Sequence, residues 1–315
     1  MLAVGFERFG GPEVMTLLTL PEPHAGPGQV RIKVEAADIN IADADARSGA
    51  IARQLPQWYP VHTGPYVVGW DAAGVIDEVG PGVEARLLCG DAVIALVHPR
   101  LACGAQAEFV IADAASVVRA PRGKTPVAAA TLLMNALTAR AALDSLRVGE
   151  GSTIAVTGAA GAVGGFAVEL AKAAGIRVIA DATPDDRDLV TALGADMIVE
   201  RGPGLARAIL AAAGPVDGVI DTAMLDDAIT PAVVAGGSIF SACGFTGRPG
   251  DGIRWTYRPE YELLSATAEL EKLRDAAERD ELTLRVAATC LPGQASDAHR
   301  QIEAGGTGGR LVFIF

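Results

Sequence analysis

The chain has 315 residues, half of them hydrophobic, and carries 26 Lys plus Arg against 38 Asp plus Glu for a formal net charge of −12. This length suggests about two domains with ample apolar material for their cores, and the acidic balance, with no long Lys/Arg run, argues against nucleic-acid and anionic-membrane partners. The N-terminus lacks a basic segment followed by an apolar one, the alanine-rich stretches are broken by charge or glycine, and Cys89, Cys103, Cys243 and Cys290 are scattered, so a cytoplasmic protein with unpaired thiols, no signal peptide and no transmembrane helix is expected.

The first third reads as short strands. Residues 29–35 alternate apolar and polar, as a half-buried strand does. Residues 73–80 form a second strand, followed by a Pro81-Gly82 turn, and 91–96 and 107–111 form two more. Frequent turn residues between short strands suggest a compact barrel. A helical stretch at 127–146 then leads into 151–182, GSTIAVTGAAGAVGGFAVELAKAAGIRVIADA, which reads as strand, glycine-rich turn, helix and strand. Small residues let the backbone of such a turn approach a pyrophosphate. The first N–H groups of the helix face that anion, and the helix dipole favours it. The spacing predicts a dinucleotide-binding βαβ unit. Helices follow at 186–193 and 205–213, each ended by glycine, with strands at 197–199, 219–221 and 237–241. That alternation implies a mostly parallel sheet covered on both faces. Helical periodicity returns at 260–279, and a strand at 285–289, a helix at 296–303 and a strand at 310–315 close the chain.

Several blocks occur in a characteristic order. They are FGGPEVM at 9–15, the N-x-x-D-x-x-x-R-x-G segment with Asn40, Asp43, Arg47 and Gly49, and GWDAAGVIDEVGPGV at 69–83. ALTARAAL at 136–143, the glycine-rich unit, LVTALGAD at 189–196, VDGVIDTA at 216–223 and the ending AHRQIEAGGTGGRLVFIF follow. With them the chain resembles, almost end to end, the zinc-independent quinone oxidoreductases of the medium-chain dehydrogenase/reductase superfamily. The resemblance implies an α/β fold in two domains. A β-rich, GroES-like barrel catalytic domain would take 1–121 and 255–315, and a doubly wound Rossmann-type parallel sheet would take 122–254, with the cofactor in the cleft between them. It further implies a homodimer formed through the sheet edge, which the strand at 238–241 is expected to supply. The implied reaction is hydride transfer from NADPH to a quinone or an α,β-unsaturated carbonyl. An enoyl-thioester reductase of a biosynthetic pathway and a non-catalytic NADPH-binding or sensor protein are the alternatives.

No metal is expected. Trp70 stands where zinc members carry histidine, Asp71 stands where they carry the following glutamate, and residues 1–121 hold only Cys89 and Cys103. By resemblance, Asn40 approaches the nicotinamide side and Thr138 a phosphate or the nicotinamide ribose. Gly161, Ala162 and Val163 supply backbone contacts to the pyrophosphate. Thr222 and Ala223, with Ala242, Cys243 and Gly244, follow strand ends beneath the cofactor, although for Thr222 strand-end capping is the competing role. Gly309 and Arg310 close over the nicotinamide end. Family members often carry glycine near Ala223 and Met224, and this chain does not.

Cofactor choice turns on the end of the second strand of the unit. Asp181 lies close to the place of a ribose-binding acid, but family register puts that acid at Ala182. Thr183 and Arg187 fall where NADPH-dependent members place a small hydroxyl residue and a base, so NADPH is expected over NADH, against the acidic surround of Asp185, Asp186 and Asp188. Without a metal, hydrogen-bond donors must stabilise the developing oxyanion. A tyrosine of several family members falls at Ile51. Trp58, Tyr59, His62 and Tyr66 of the following aromatic loop are therefore the pocket candidates, with packing against the barrel as the competing role. Asn40, Tyr59 and Tyr66 are the candidate catalytic residues, Tyr59 first as donor. Trp255, Tyr257 and Arg258 are candidate specificity residues.

Overall fold

The structure, a computed structural model, describes residues 1–54, 65–100, 102–248, 252–257 and 266–315. It divides into two compact units, one of Met1–Met134, Leu263–Arg279 and Leu284–Phe315, the other of Asn135–Glu262 and Asp280–Thr283.

In chain order the first unit holds β1 (Leu2–Phe6), β2 (Thr16–Thr19), β3 (Gln29–Asp38), α1 (Ile41–Ser48), α2 (Ala50–Gln54), β4 (Tyr66–Val67), β5 (Asp71–Val79), β6 (Ala92–Leu96), β7 (Phe109–Asp113), β8 (Val117–Arg119) and α3 (Pro126–Ala129). The chain then passes through α4 (Leu133–Leu146), β9 (Thr153–Thr157), α5 (Ala162–Ala173), β10 (Arg177–Ala182), α6 (Arg187–Ala192), β11 (Met197–Glu200), α7 (Leu205–Ala213), β12 (Val216–Asp221), β13 (Val233–Ser241) and β14 (Arg254–Thr256). It ends with α8 (Thr267–Glu278), β15 (Val286–Cys290), α9 (Ala295–Ala304) and β16 (Arg310–Ile314).

The large sheet of the first unit runs β15-β16-β3-β5-β6-β8, with β7 also paired to β3. The alternation of β3 is what makes this possible: Val30, Ile32 and Val34 are buried among Ile76, Val93, Val110 and Val117. β16 pairs antiparallel with β3, Val312 opposite Asp38, so the last residues complete a sheet begun near residue 29. A smaller sheet, β2-β1-β4, packs its own core of Val4, Phe6, Tyr66 and Val68.

The sheet of the second unit runs β11-β10-β9-β12-β13-β14, and every pairing in it is parallel. The order reverses between β9 and β12, and ligands of such sheets bind at that switch point, outside the carboxyl ends of the strands. Two expectations shift. The strand at 238–241 is not the edge, because Ile239 and Phe240 pair with Trp255 and Thr256 of β14. The second unit accordingly extends through β14 rather than ending at 254, and it begins at Asn135 rather than 122. The stretch Pro126–Leu146, which contains α3 and α4, is long and apolar enough to cross a bilayer, and 72% of its apolar window is buried inside the fold, as core helices require.

Candidate active site

The glycine-rich turn follows β9 directly. Gly158 has φ +68°, and a Cβ there would lie 2.3 Å from Thr222 Oγ1. Gly161 precedes α5 with no side-chain cap. Gly164 lies in the first turn of α5, where a Cβ would sit 2.3 Å from the carbonyl oxygen of Gly158. Glycine at 158 and 164 therefore lets the helix start this close to the strand end. Ala162 and Val163 begin α5 at the positive end of its dipole, while the Gly161 N–H just before them is bonded to the Gly158 carbonyl (2.8 Å). The cradle fits a pyrophosphate.

The neighbouring strand end is tied down by one buried carboxylate. Asp221 accepts hydrogen bonds from Thr157 Oγ1 (2.5 Å) and from the backbone N–H groups of Ala223 (3.2 Å), Leu225 (2.8 Å) and Asp226 (3.0 Å). Thr222 donates its hydroxyl to the Thr157 carbonyl at 2.6 Å, which is the capping role. Met224 holds φ +56° with its side chain 65% exposed. The chain thus keeps a glycine-like backbone at a methionine. After β13, Ala242 donates its N–H to the Asp221 carbonyl (3.0 Å), Cys243 is exposed and Gly244 turns at φ +77°. Thr138 is half-buried on α4.

At the end of β10, Asp181 is 2% exposed. It accepts the Ala159 N–H at 3.1 Å and Arg201 Nε at 2.7 Å. The carboxylate is turned into the fold, where it braces the glycine-rich turn. Ala182 is buried and presents no acid. Thr183 donates its hydroxyl to Asp186 (2.7 Å), and Arg187 is exposed at the first position of α6. Arg201 is the residue that sequence reasoning missed. Its N–H bonds the Ala182 carbonyl (3.0 Å), so a cation stands just past the end of β10. A lone arginine after a short strand gives no signal of this.

The first unit holds a second buried network. Asp38, Asn40, Asp43 and Asp71 are 0%, 2%, 0% and 1% exposed. Arg310 Nε donates to both oxygens of Asp38 (2.9 and 3.0 Å), and its Nη2 donates to the Ile39 carbonyl. Asn40 Nδ2 donates to Asp38 (3.4 Å). Asp43 accepts from the N–H groups of Asn40 (2.8 Å) and Gly69 (2.9 Å) and from Gln106 Nε2 (3.0 Å). Asp71 accepts from the Met134 N–H at 2.9 Å. Burial pushes the Asp43 carboxyl up to about 7. Burial first, then the Asp38 carboxylate, raises Asp71 well above the ordinary range. Burial also raises Asp38, against the pull of Arg310. Arg310 is therefore held by Asp38. Gly309, just before it, packs tightly, a Cβ there lying 2.9 Å from the Ala287 N.

Tyr66 is a correction. It is 2% exposed and stacks on Phe6 (5.1 Å) and Phe9 (5.4 Å), so its ring is part of the small sheet's core rather than a pocket wall. Ile51 packs into the same core. Trp58, Tyr59, His62 and Arg258 lie outside the described residues. Trp255 packs edge-on against Phe245 at 4.9 Å, and Tyr257 is 48% exposed. Among the described residues no three His, Cys, Asp or Glu side chains group as a metal site would.

Comparison with known proteins agrees with this architecture. Residues 26–122 match the alcohol dehydrogenase GroES-like domain. The mitochondrial NAD(P)H oxidoreductase RTN4IP1 of Bos taurus is 34% identical over 230 residues, covering 68% of this chain, and the chain spans 57% of that protein's length, less than two thirds. The quinone oxidoreductase of Coxiella burnetii superposes with a TM-score of 0.87 at 27% identity, over 100% of this chain and 99% of that one. A mycobacterial structure complexed with NADPH gives 0.85 at 28% identity, over 100% of both. The glycine cradle at the switch point, the GroES-like segment and these likenesses together identify the chain as a quinone-oxidoreductase-like member of the medium-chain dehydrogenase/reductase superfamily.

Proposed function

We propose that the protein is an NADPH-dependent, zinc-independent reductase that acts on quinones or α,β-unsaturated carbonyls. The observation that carries this is the glycine cradle at the switch point together with a buried Asp181 whose carboxylate is taken up by the Ala159 N–H beneath that turn and by Arg201. An acid facing the adenosine ribose would favour NADH and repel a 2′-phosphate. Here the acid is internal, and Arg187 is exposed beside the end of β10. The bovine relative is named for NAD(P)H, and the mycobacterial neighbour holds NADPH.

When bound, reduced nicotinamide supplies a hydride, and with one proton the acceptor gains two electrons. The chain's residues do the rest. The N–H groups at the start of α5 bind the pyrophosphate. Arg187 meets the 2′-phosphate, with Thr183 assisting once its hydroxyl leaves Asp186. The amide of Asn40 is assigned to the nicotinamide end. Trp70 in place of an imidazole supports chemistry without zinc. The β14 edge is the surface we assign to a homodimer, and a monomeric mass by light scattering would remove that assignment.

The test mixes purified protein with NADPH or NADH and a panel of quinones, enones and an enoyl thioester, and follows loss of reduced-nicotinamide absorbance. Turnover of a quinone or enone with preference for NADPH is expected. Turnover of the thioester alone would make the protein an enoyl-thioester reductase. Cofactor binding without turnover would make it a sensor.

A further inference from the structure

We propose that Asp71 is held as the neutral carboxylic acid, and that in this form it is the positioning residue that fixes the Asn40 amide. Three aspartates, Asp38, Asp43 and Asp71, lie buried together, and among the described residues Arg310 is the cation bonded to them. Their surroundings differ. Asp38 has both oxygens on Arg310. Asp43 has both oxygens on N–H donors, Oδ1 on Gly69 and Oδ2 on Asn40 and Gln106. Asp71 places Oδ1 on the Met134 N–H, while its Oδ2 is buried with no hydrogen-bond partner among the described residues. An ionised carboxylate with one buried oxygen that has no partner among the described residues, beside another carboxylate, is the costliest arrangement of the three. A hydroxyl at Oδ2 removes the charge and leaves Oδ1 as an acceptor.

That assignment decides how Asn40 sits. Its side chain hydrogen-bonds Asp71 as well as Asp38. Asp38 accepts from the Asn40 Nδ2, and Asp71, whose Oδ2 has no partner among the described residues, has Oδ1 left to accept, so both face the amide NH2 group. The Asn40 Oδ1 then points the other way, as an acceptor of fixed orientation. An ionised Asp71 would set a second anion against Asp38 and compete for Arg310, the two charged groups that act most on it. On the side of α4, Asp71 meets the Met134 N–H, which bears no charge. His98, packed edge-on against the adjoining Trp70, is pushed down to about 4 by burial and stays neutral.

Infrared spectroscopy tests the protonation without cofactor. At about pH 8, where Asp43, pushed up to about 7, is mostly ionised, the wild-type protein should show the carbonyl band of a protonated carboxyl group. Asp71→Asn should lose that band and Asp43→Asn should keep it. A wild-type protein with no such band, or a band that survives Asp71→Asn, overturns the proposal. Should Asp71→Asn fail to fold, Asp71→Glu serves instead: a shifted band supports the assignment and an unshifted one overturns it. The positioning role rests on the proposed nicotinamide contact of Asn40 and is read from kinetics. Asp71→Ala should raise the cofactor KM about fivefold with a smaller change in kcat, and Asp71→Asn, which mimics the neutral acid, should restore it. Equal impairment of both variants overturns the positioning role. Absence of nicotinamide turnover in the wild type would instead refute the proposed function and leave the infrared result standing.

Discussion

Asp181 and Ala182 are neighbours on β10, yet successive strand residues face opposite ways. This one-residue difference places the carboxylate under the glycine-rich turn, on the Ala159 N–H. Arg201→Ala would leave Asp181 buried without its cation. The guanidinium is 38% exposed, so solvent screens much of the pair, and a loss of about 1–2 kcal/mol is expected by urea unfolding. Because Asp181 also accepts the Ala159 N–H, the same variant should weaken cofactor binding through the turn, which a fluorescence titration would read. Met224 is strained in the opposite sense. An L-residue at φ +56° costs about 1–2 kcal/mol, and glycine relieves that while adding about 0.5–1 kcal/mol of unfolded-state entropy. Met224→Gly should therefore be neutral or stabilising by up to about 1 kcal/mol, although it truncates a large apolar side chain. A clear loss of stability in the same urea assay would show that the exposed thioether packs against something.

Elements differ in how far the sequence discloses them. The glycine-rich unit was legible because its signal is local: an apolar strand, glycines at 158, 161 and 164, then helical periodicity. Gly164→Ala should cost about 1–3 kcal/mol and release the start of α5, because its Cβ would meet backbone that cannot swing aside. By contrast, β14 is three residues long with no alternation to display, so the edge was placed one strand too early. Tyr66 looked like a pocket residue because its stacking on Phe6 is a tertiary fact. The buried network escaped notice for the same reason, since Asp38 and Arg310 are 272 residues apart. The N-x-x-D-x-x-x-R-x-G pattern was recognised, but its physical meaning came from the fold. Asp43 accepts the Asn40 N–H at the start of α1, Gly49 ends that helix at φ +78°, and Arg47 ties it to Gly10, His299 and Glu303. His299 is fully buried and pushed down to about 3 by burial and then by Arg47. Its folded value lies below the unfolded one near 6.5, so between these the unfolded chain binds a proton that the folded chain excludes. Stability from this residue is complete above about pH 6.5 and is lost as pH falls toward 3. His299→Asn, which keeps an acceptor for Arg47, should lessen the acid-induced fall in melting temperature. An unchanged profile would place the acid sensitivity elsewhere.

For the whole molecule, the two units set up a test of cofactor choice that needs no substrate. A ligand that binds the folded state alone stabilises it by RT ln(1 + [L]/Kd), about 2.7 kcal/mol at a hundredfold excess over Kd. The glycine cradle, Asp181, Arg187 and Arg201 all belong to the unit of Asn135–Glu262. Binding through them should act on that unit's unfolding, whether the chain melts in one transition or two. NADPH should raise the melting temperature more than NADH at equal concentration. In addition, Arg187→Ala should lower the NADPH shift while leaving the NADH shift nearly unchanged, since only the 2′-phosphate needs that cation. Equal shifts from both cofactors in the wild type would mean that the internal Asp181 removes an obstacle to the phosphate without creating a preference for it. A larger NADH shift would show that the acidic surround of Asp185, Asp186 and Asp188 outweighs the exposed arginine, and the coenzyme of the proposed reaction would then be NADH.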